Sequence, residues 1–300
     1  MALRDILVCI DHTAAGDVRF QLALNLAQAS KAHLTSVYAL REPRSLPTPP
    51  AGVGLPPTVL GPVSPEGARA MEGQPISAAA PVVDVLREAE RAETVEERFR
   101  EELQARGLDG EWRILDHTGV AEVIELAETA DLAILGQYPG DDTNGVTWLR
   151  PDHVVTASGR PVLVVPYAGT FARVGTRVLV AWDGTREANR ALHDALPLIG
   201  SAEAVTVMHV GTHEADLDRA RPRLERVVRH LQRHGVKAKP EQTLRGGIAI
   251  SDVLLSRTAD LGADMIVAGA YHHSHLREEL LGGVSRDLLD HMTVPVLMSH

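Results

Sequence analysis

A segment near the end of the chain carries residues suited to binding an anion. An apolar run that predicts a strand, Met265–Ala268, is followed by Gly269 and His272. Nine residues then lead to Gly282 and Gly283, which open a predicted helix. Glycines let a backbone approach a ligand closely, and free N–H groups at a helix start point toward negative charge. The spacing therefore predicts an anion site where this strand ends and the next helix begins.

A carboxylate is expected at the same edge of the sheet. Asp183 directly follows the short apolar strand predicted at 177–181. Because ligands of open parallel sheets lie at the carboxyl ends of the strands, Asp183 and Gly269 are expected to share one cleft. There, Asp183 would accept a hydrogen bond from a base or a ribose.

The elements that position these residues occur twice in the chain. Asp131–Gly136 recurs as Asp264–Gly269 at an offset of 133 residues, and Asp5–Asp11 recurs as Arg177–Asp183 at an offset of 172. A repeat of this length indicates tandem domains, because solenoid repeats are only about 20–50 residues long. We expect a first domain at 1–168 and a second at 175–300, joined by a short Pro- and Gly-bearing linker.

Short apolar runs alternate with longer amphipathic runs, which is typical of parallel α/β units. Each half is predicted as β-α-β-α-β-α-β-α-β, a Rossmann-like domain with a five-stranded, mostly parallel sheet and helices on both faces. The predicted helices include a long one at 81–106 and one at 186–199. The difference of about 39 residues between the two offsets is assigned to a Pro/Gly-rich insertion at about 41–80. Prolines fix φ and lack an N–H group, so this insertion is expected to be loop or disordered. It would be a functional lid, an inert insertion or a surface that faces another subunit.

Composition excludes several classes of function. The net charge is −10 and aromatic residues make up 3% of the chain, so neither a basic face nor a stacking platform for nucleic acid is visible. The most basic stretch, 219–233, is interpreted as a solvated helix face, with a partner contact as the alternative. No run reaches the roughly 20 apolar residues of a membrane span, and no signal peptide is apparent, so we expect a cytoplasmic protein without membrane contact. Cys9, the single cysteine, is interpreted as a buried strand residue.

Motifs for known chemistry are missing from the sequence. There is no Walker-type phosphate loop, no Gly-x-Gly-x-x-Gly after a first strand, no nucleophile elbow and no His-Glu-x-x-His. No catalytic residue is therefore predicted, and the protein is not expected to be an enzyme.

With these residues in view, the chain resembles a tandem universal stress protein, with two such domains covering essentially all 300 residues. ATP-binding members of that family carry Gly-x-x-Gly, nine residues and Gly-[Ser/Thr], with an Asp after the first strand. Asp183, Gly269 and Gly282 match this pattern. The resemblance implies that ATP or a related adenine nucleotide binds in the second domain only, at a site that comprises Asp183, Val210, Gly269, Ala270, His272, Gly282, Gly283, Val284 and Ser285.

Two positions of this motif depart from the family. His272 stands where the family has its second Gly, and Gly283 stands where it has Ser or Thr. Gly283 still offers its N–H group, and Ser285 is expected to substitute in part for the lost hydroxyl. The first half departs further: Asp11 is present, but Asp141 and Asp142 follow Gly136 and would repel phosphate. We expect the first half to be a scaffold or a pairing partner.

Histidines are concentrated in the last 29 residues. His272 and His275 are three residues apart and are candidates for a shared metal, but no recognised set of ligands completes them, so no metal is expected.

Three functions remain open from the sequence. The first is a non-catalytic nucleotide-sensing stress protein. The second is an adaptor or a small-ligand module that does not bind nucleotide, and the third is a weak nucleotide hydrolase. Family members commonly dimerise through the last strand, so 162–165 and 294–298 are expected to pair within the chain as an intramolecular pseudo-dimer. A further homodimer, and protein partners of unknown identity, also remain open.

Overall fold

The computed structural model describes residues 2–40, 76–116, 118–138, 149–270 and 283–300, with the backbone alone at 76–86. Ten strands form one sheet: β1 (Asp5–Ile10), β2 (His33–Ala39), β3 (Gly110–Leu115), β4 (Leu132–Gly136), β5 (Val162–Val165), β6 (Arg177–Ala181), β7 (Ala204–Gly211), β8 (Ala238–Leu244), β9 (Met265–Gly269) and β10 (Val296–Ser299).

The strand order is β3-β2-β1-β4-β5-β10-β9-β6-β7-β8, so each half of the chain contributes five neighbouring strands in the same relative order. All neighbours within a half are parallel. The halves meet where β5 and β10 pair antiparallel, with Leu163 opposite Leu297. The predicted α/β class with mostly parallel strands is confirmed, and the expected pairing of the two last strands is present.

Nine helices are described: α1 (Ala14–Ser30), α2 (Ile76–Arg106), α3 (Val120–Thr129), α4 (Pro151–Ala157), α5 (Arg186–Asp194), α6 (Leu196–Ile199), α7 (Glu214–Arg233), α8 (Ile250–Leu261) and α9 (Gly283–His291). None of them has the length and apolar character that a membrane crossing requires.

The helices cover both faces of the sheet, and the alternation of side chains along each strand separates two cores. On β1, Ile6 and Val8 enter the core shared with α1, α2, α5 and α7. Leu7 and Cys9 enter the core shared with α3, α4 and α9. Cys9 is buried as expected, and burial raises the pKa of its thiol to about 12.

Several predicted boundaries were wrong for identifiable reasons. The helix expected at 81–106 begins at Ile76, because the alanine-rich run 76–80 favours helix, so the last residues of the expected insertion are helical and not loop. The rest of the expected insertion, 41–75, lies outside the described residues. The single helix expected at 186–199 is divided into α5 and α6, since Pro197 lacks the N–H that would continue it. The last strand begins at Val296, directly after Pro295.

The basic stretch on α7 lies largely in solvent. Arg219, Arg221 and Arg229 are exposed, and each forms an ion pair with an acidic residue three or four positions earlier. Such pairs contribute little to stability, typically about 0–1 kcal/mol.

Candidate functional site

A cavity of about 230 Å³ opens beside β6, where the sheet order changes direction. β6 lies between β7 and β9, so the chain proceeds to one side after β6 and returns on the other. In open α/β sheets this switch point leaves a crevice at the carboxyl ends of the strands. The cavity is therefore where the topology alone predicts a ligand.

Apolar side chains form most of the cavity wall, and a few polar groups lie among them. The apolar residues come from the ends of β6, β7 and β9 and from α5, α8 and α9: Ala181, Trp182, Ala188, Met208, Val210, Ile250, Leu254, Ala268, Val284 and Leu288. Asp183, Thr185, Glu187 and Ser285 supply the polar groups. An apolar pocket with few polar groups is the usual composition of a small-molecule site.

Asp183 is held in position by the start of α5. Its Oδ1 accepts hydrogen bonds from the Thr185 N–H at 2.9 Å and from the Thr185 hydroxyl at 2.7 Å. Thr185 Oγ1 in turn accepts from the Ala188 N–H at 3.1 Å, which makes Thr185 the N-cap of the helix. Thr185 thus orients the Asp183 side chain through two hydrogen bonds to one oxygen, Oδ1.

The turn that follows Asp183 depends on a glycine. Gly184 has φ 83°, and a Cβ at this position would lie 2.8 Å from Arg223 Nη2. Arg223 donates to the Gly184 carbonyl at 2.8 Å and lies 5.4 Å above the Trp182 ring. Trp182 donates through Nε1 to Asn189 at 2.9 Å, so the indole is held on both sides.

Gly269 is required for packing between helix and sheet. A Cβ on Gly269 would lie 2.4 Å from the Ala188 nitrogen and 2.6 Å from the Glu187 carbonyl carbon. The sequence suggests close approach of a ligand as the reason for this glycine. In the structure, the backbone of α5 occupies the space where the side chain would be.

The first turn of α9 forms the remaining wall, with Gly283, Val284 and Ser285 lining the cavity. Ser285 is nearly buried, whereas Val284 is exposed. Among the described residues, a Cβ on Gly283 would meet only Asp287 Oδ2, at 3.9 Å. The described residues around Gly283 therefore leave room for a larger side chain.

Six of the nine residues predicted for the site line this one cavity: Asp183, Val210, Gly269, Gly283, Val284 and Ser285. Ala270 is buried away from the described wall. Its N–H donates to the Ser299 carbonyl at 2.9 Å, and its carbonyl contacts the His300 ring at 2.9 Å. His272, Gly282 and the candidate metal ligand His275 lie outside the described residues. Within the described ranges, no group of three or more His, Cys, Asp or Glu side chains is arranged to hold a metal.

Sequence reasoning missed two polar residues of the cavity, Thr185 and Glu187. Thr185 was detectable, because Asp183-Gly-Thr185 repeats Asp11-His-Thr13 at the offset of 172. The side chain of Glu187 is only 6% exposed. Its repeat equivalent is Ala15, so the repeat gave no signal for it.

The first half keeps the Asp–Thr turn, but its aspartate already has a partner. Arg19 Nη2 lies 2.6 Å from Asp11 Oδ2, and Arg19 Nε donates to the Cys9 carbonyl at 3.0 Å. Burial disfavours the charged form of Asp11, yet the Arg19 guanidinium and the hydrogen bonds from Thr13 and Arg19 lower the pKa of this carboxyl. The repeat equivalent of Arg19 is Ala191, so no such ion pair links Asp183 to this position of α5.

Tyr38 also fills the first half where the second half has Val210, 172 residues later. Its ring is fully buried, and its hydroxyl donates to Glu88 Oε1 at 3.1 Å. His12 Nδ1 lies 3.5 Å from the same carboxylate oxygen. Arg19 and Tyr38 therefore fill space in the first half, whereas the equivalent residues of the second half, Ala191 and Val210, are smaller.

The fold and the cleft define an α/β protein with a ligand-sized crevice at the switch point of its second half. Residues 176–300 match the model of the Universal stress protein family. A universal stress protein family domain thus occupies the second half of the chain. A search of curated proteins gave no match.

Solved structures extend the likeness in fold to the whole chain. One is a universal stress protein from Archaeoglobus fulgidus DSM 4304, which is 15% identical with a TM-score of 0.67, and the match covers 98% of this chain and 96% of that one. Another is a functionally unknown protein from Pseudomonas aeruginosa PAO1, 19% identical with a TM-score of 0.56, with 99% and 92% covered. At these identities the likeness establishes the fold.

Proposed function

We propose that this chain is a non-catalytic universal stress protein that binds ATP or a related adenine nucleotide in its second half. One observation carries the proposal: one cavity at the switch point is lined by Asp183 from the turn after β6, Gly269 from β9 and the first turn of α9. These are the three elements from which the family resemblance draws its nucleotide contacts. Their convergence supports a nucleotide cleft between 177 and 300.

The chemistry of the wall suits a base and a sugar. Met208, Val210 and Leu254 offer apolar surface to a planar ring. Asp183 is exposed and oriented by Thr185, so its carboxylate is available to a ribose hydroxyl or a ring amine. The first turn of α9 lines the same cavity, and free N–H groups at a helix start would donate hydrogen bonds to a phosphate.

Thermal unfolding with and without nucleotide tests the proposal. A ligand at 100 times its Kd stabilises the folded state by about 2.7 kcal/mol, which is several degrees in Tm for a chain of this size. We expect that rise with an adenine nucleotide, and a smaller rise for Asp183→Asn at the same concentration. Nucleotide released from the heat-denatured purified protein, identified by chromatography, is the second measurement.

Asp218→Asn is the matched control, because it removes the same charge from an exposed position on α7. Its Tm rise should equal that of the native chain. No released nucleotide, together with no rise in Tm for any adenine nucleotide, would exclude the proposal.

We infer binding without turnover. Asp183 is an exposed carboxylate of the cavity, but its Oδ1 accepts the hydrogen bonds that hold the α5 turn. Phosphate release from ATP should therefore match the rate without protein. Hydrolysis that disappears in Asp183→Ala would instead favour a weak nucleotide hydrolase.

A second candidate is a small-ligand module or adaptor that does not bind nucleotide, favoured by the apolar wall and by Gly283. The double variant His272→Gly with Gly283→Ser restores the family pattern, and the described residues around position 283 leave room for the added atoms. If this candidate holds, the double variant gains ATP binding that the native chain lacks. Equal ATP affinity in both chains would exclude it.

We further infer that the chain comprises domains at 1–168 and 175–300 that act as an intramolecular pseudo-dimer, in the cytoplasm. A homodimer of whole chains is tested by light scattering, in which a mass near 32.3 kDa indicates a monomer.

A further inference from the structure

One side of α7 carries a row of basic side chains. Positions three or four residues apart lie on the same side of a helix. Counted in this way from residue 219, the positions are Arg219, Arg223, Arg226, His230 and Arg233, which we call the basic row. The opposite side of α7 holds Leu224, Val228 and Leu231, which are buried in the core. The arginines of the basic row are exposed, so their charges face solvent.

Much of this charge has no acidic partner among the described residues. Between 219 and 233 the one acidic residue is Glu225, and it pairs at 3.7 Å with Arg229, which lies outside the basic row. None of the ion pairs between described residues includes Arg223, Arg226 or Arg233. Like charges at this spacing repel one another, so the basic row by itself weakens the helix.

The helix that packs beside the basic row does not offset its charge. His193 of α5 lies with its ring 5.0 Å from that of His230, which brings the two helices together at this point. The two acidic residues of α5, Glu187 and Asp194, each pair with an arginine of the same helix. The basic surface therefore extends from α7 to the edge of α5.

The spacing of the charges indicates an extended ligand with several negative groups. With a rise of about 1.5 Å per residue, the basic row is about 21 Å long from Arg219 to Arg233. A small anion would contact one or two of these side chains, whereas a chain of anionic groups can contact the whole row. Guanidinium groups bind carboxylates through paired N–H donors, which makes a run of carboxylates a fitting partner.

A membrane and a nucleic acid fit this surface less well. Helices that lie on a membrane insert an apolar face, but the apolar face of α7 is buried in the core. A long nucleic acid would extend past the basic row onto a protein whose net charge is −10. Residues 214–233 also contain no Phe, Trp or Tyr on which a base could stack.

We propose that the basic row of α7 is a docking surface for an acidic peptide segment, a run of aspartates and glutamates in another protein. Carboxylates of the partner would pair with Arg226 and Arg233 and would relieve the repulsion within the basic row. Exposed charge pairs mainly speed association and select the partner, so the complex is expected to be weak and sensitive to salt. The proposal does not depend on a ligand in the cleft at β6.

Fluorescence anisotropy of the full chain with a labelled peptide of about seven glutamates tests the proposal, since such a peptide covers about 23 Å when extended. We expect a Kd below about 1 mM at about 50 mM salt, and binding at least about tenfold weaker at about 200 mM salt. The double variant Arg226→Gln with Arg233→Gln should weaken binding at the lower salt about tenfold, because it removes two unpaired charges from the basic row.

Arg221→Gln with Arg229→Gln is the matched control. It removes the same charge from α7, but both arginines lie outside the basic row and have acidic partners. Its Kd for the peptide should stay within about twofold of the native value. Circular dichroism melts of both double variants check that the fold is retained.

Three results would overturn the inference. The first is no binding of the glutamate peptide at the lower salt. The second is an equal loss of affinity in the two double variants, which would mean that the peptide responds to total charge and not to the basic row. The third is binding of a thymidine oligonucleotide of equal charge, or of vesicles that contain phosphatidylserine, at least as tightly as the peptide.

Discussion

At the scale of single residues, the two halves differ most in the partner of the aspartate after the first strand. Asp11 is paired with the buried Arg19, whereas Ala191 occupies the position equivalent to Arg19 in the second half. A guanidinium that satisfies Asp11 also excludes a ligand from that carboxylate. This exchange, together with the buried Tyr38 at the position of Val210, distinguishes the filled first half from the open second half.

Arg19→Ala is expected to destabilise the protein by about 3–5 kcal/mol, because it leaves the largely buried Asp11 without its partner. Arg100→Ala is the control: Arg100 is exposed and pairs with Glu96 within one helix, so the expected loss is below about 1 kcal/mol. Urea unfolding of both variants provides the measurement. Equal losses would show that the Arg19–Asp11 pair behaves as a surface pair.

At the scale of elements, a side chain of the first half fixes a helix of the second. Gln137, which follows β4, is buried and donates through Nε2 to the Leu289 carbonyl at 2.8 Å and the Asp290 carbonyl at 3.1 Å. Its Oε1 accepts from the Tyr167 N–H at 3.2 Å. These carbonyls lie at the end of α9, whose first turn lines the candidate cleft.

Gln137→Ala should therefore lower the free energy of unfolding by about 1–3 kcal/mol, the usual consequence of leaving buried polar groups unpaired. The variant should also weaken any nucleotide binding at the other end of α9. Denaturant unfolding and a nucleotide titration measure the two effects. Unchanged stability would mean that the α9 carbonyls find other partners.

Three histidines meet where α5 packs against α7. The His230 ring lies 5.0 Å from that of His193 and 4.6 Å from that of His234, and Arg233 is close by. Burial of the His230 ring, followed by the charges of His193, His234 and Arg233, lowers the pKa of His230. The folded protein thus resists protonation that the unfolded chain accepts at about pH 6.5.

Because the folded-state pKa is depressed, the contribution of His230 to stability is complete above about pH 6.5 and is lost as the pH falls toward the folded-state value. We expect Tm to decrease between pH 7.5 and pH 5.5, and to decrease less in His230→Gln. His33→Gln, which alters an exposed His33–Asp109 pair, is the comparison variant. Identical profiles of Tm against pH for the native chain and His230→Gln would show that this cluster does not cause the decrease.

At the scale of the whole molecule, the pairing of β5 with β10 turns two five-stranded units into one sheet. Val162, Leu163 and Val164 are all fully buried and face β10 in register. The outer strand β8 has no neighbour on its other side within the sheet. It carries Lys239, Pro240 and Glu241, a composition that discourages pairing with another chain.

We expect the halves to remain associated after cleavage of the 166–176 linker. A protease site placed there, followed by size-exclusion chromatography of the cut protein, should give one peak at the mass of the whole chain. Val164→Pro should allow separation, because proline removes a ladder N–H from a central strand. Separation of the native halves after cleavage would show that the covalent link holds them together.

Most of the fold could be predicted from the sequence. The alternation of apolar strands and amphipathic helices is a local pattern. It occurs in both halves, so either half alone predicts the α/β class. Boundaries failed where a local feature competed with the pattern, as at Pro197 and at the alanine run before Pro81. For the site, spacing predicted Asp183 and the start of α9, because strand ends and helix starts are fixed by local sequence.

Tertiary structure alone decided what surrounds those residues. Glu187 has no counterpart in the repeat, and its burial beside the cleft follows from how α5 packs on β9 at Gly269. The role of Gln137 depends on a contact 152 residues away in the chain. The sequence by itself determined two copies of one fold and one candidate cleft. The charge inside the cleft, and the sheet that joins the copies, depend on contacts between distant segments, which spacing does not encode.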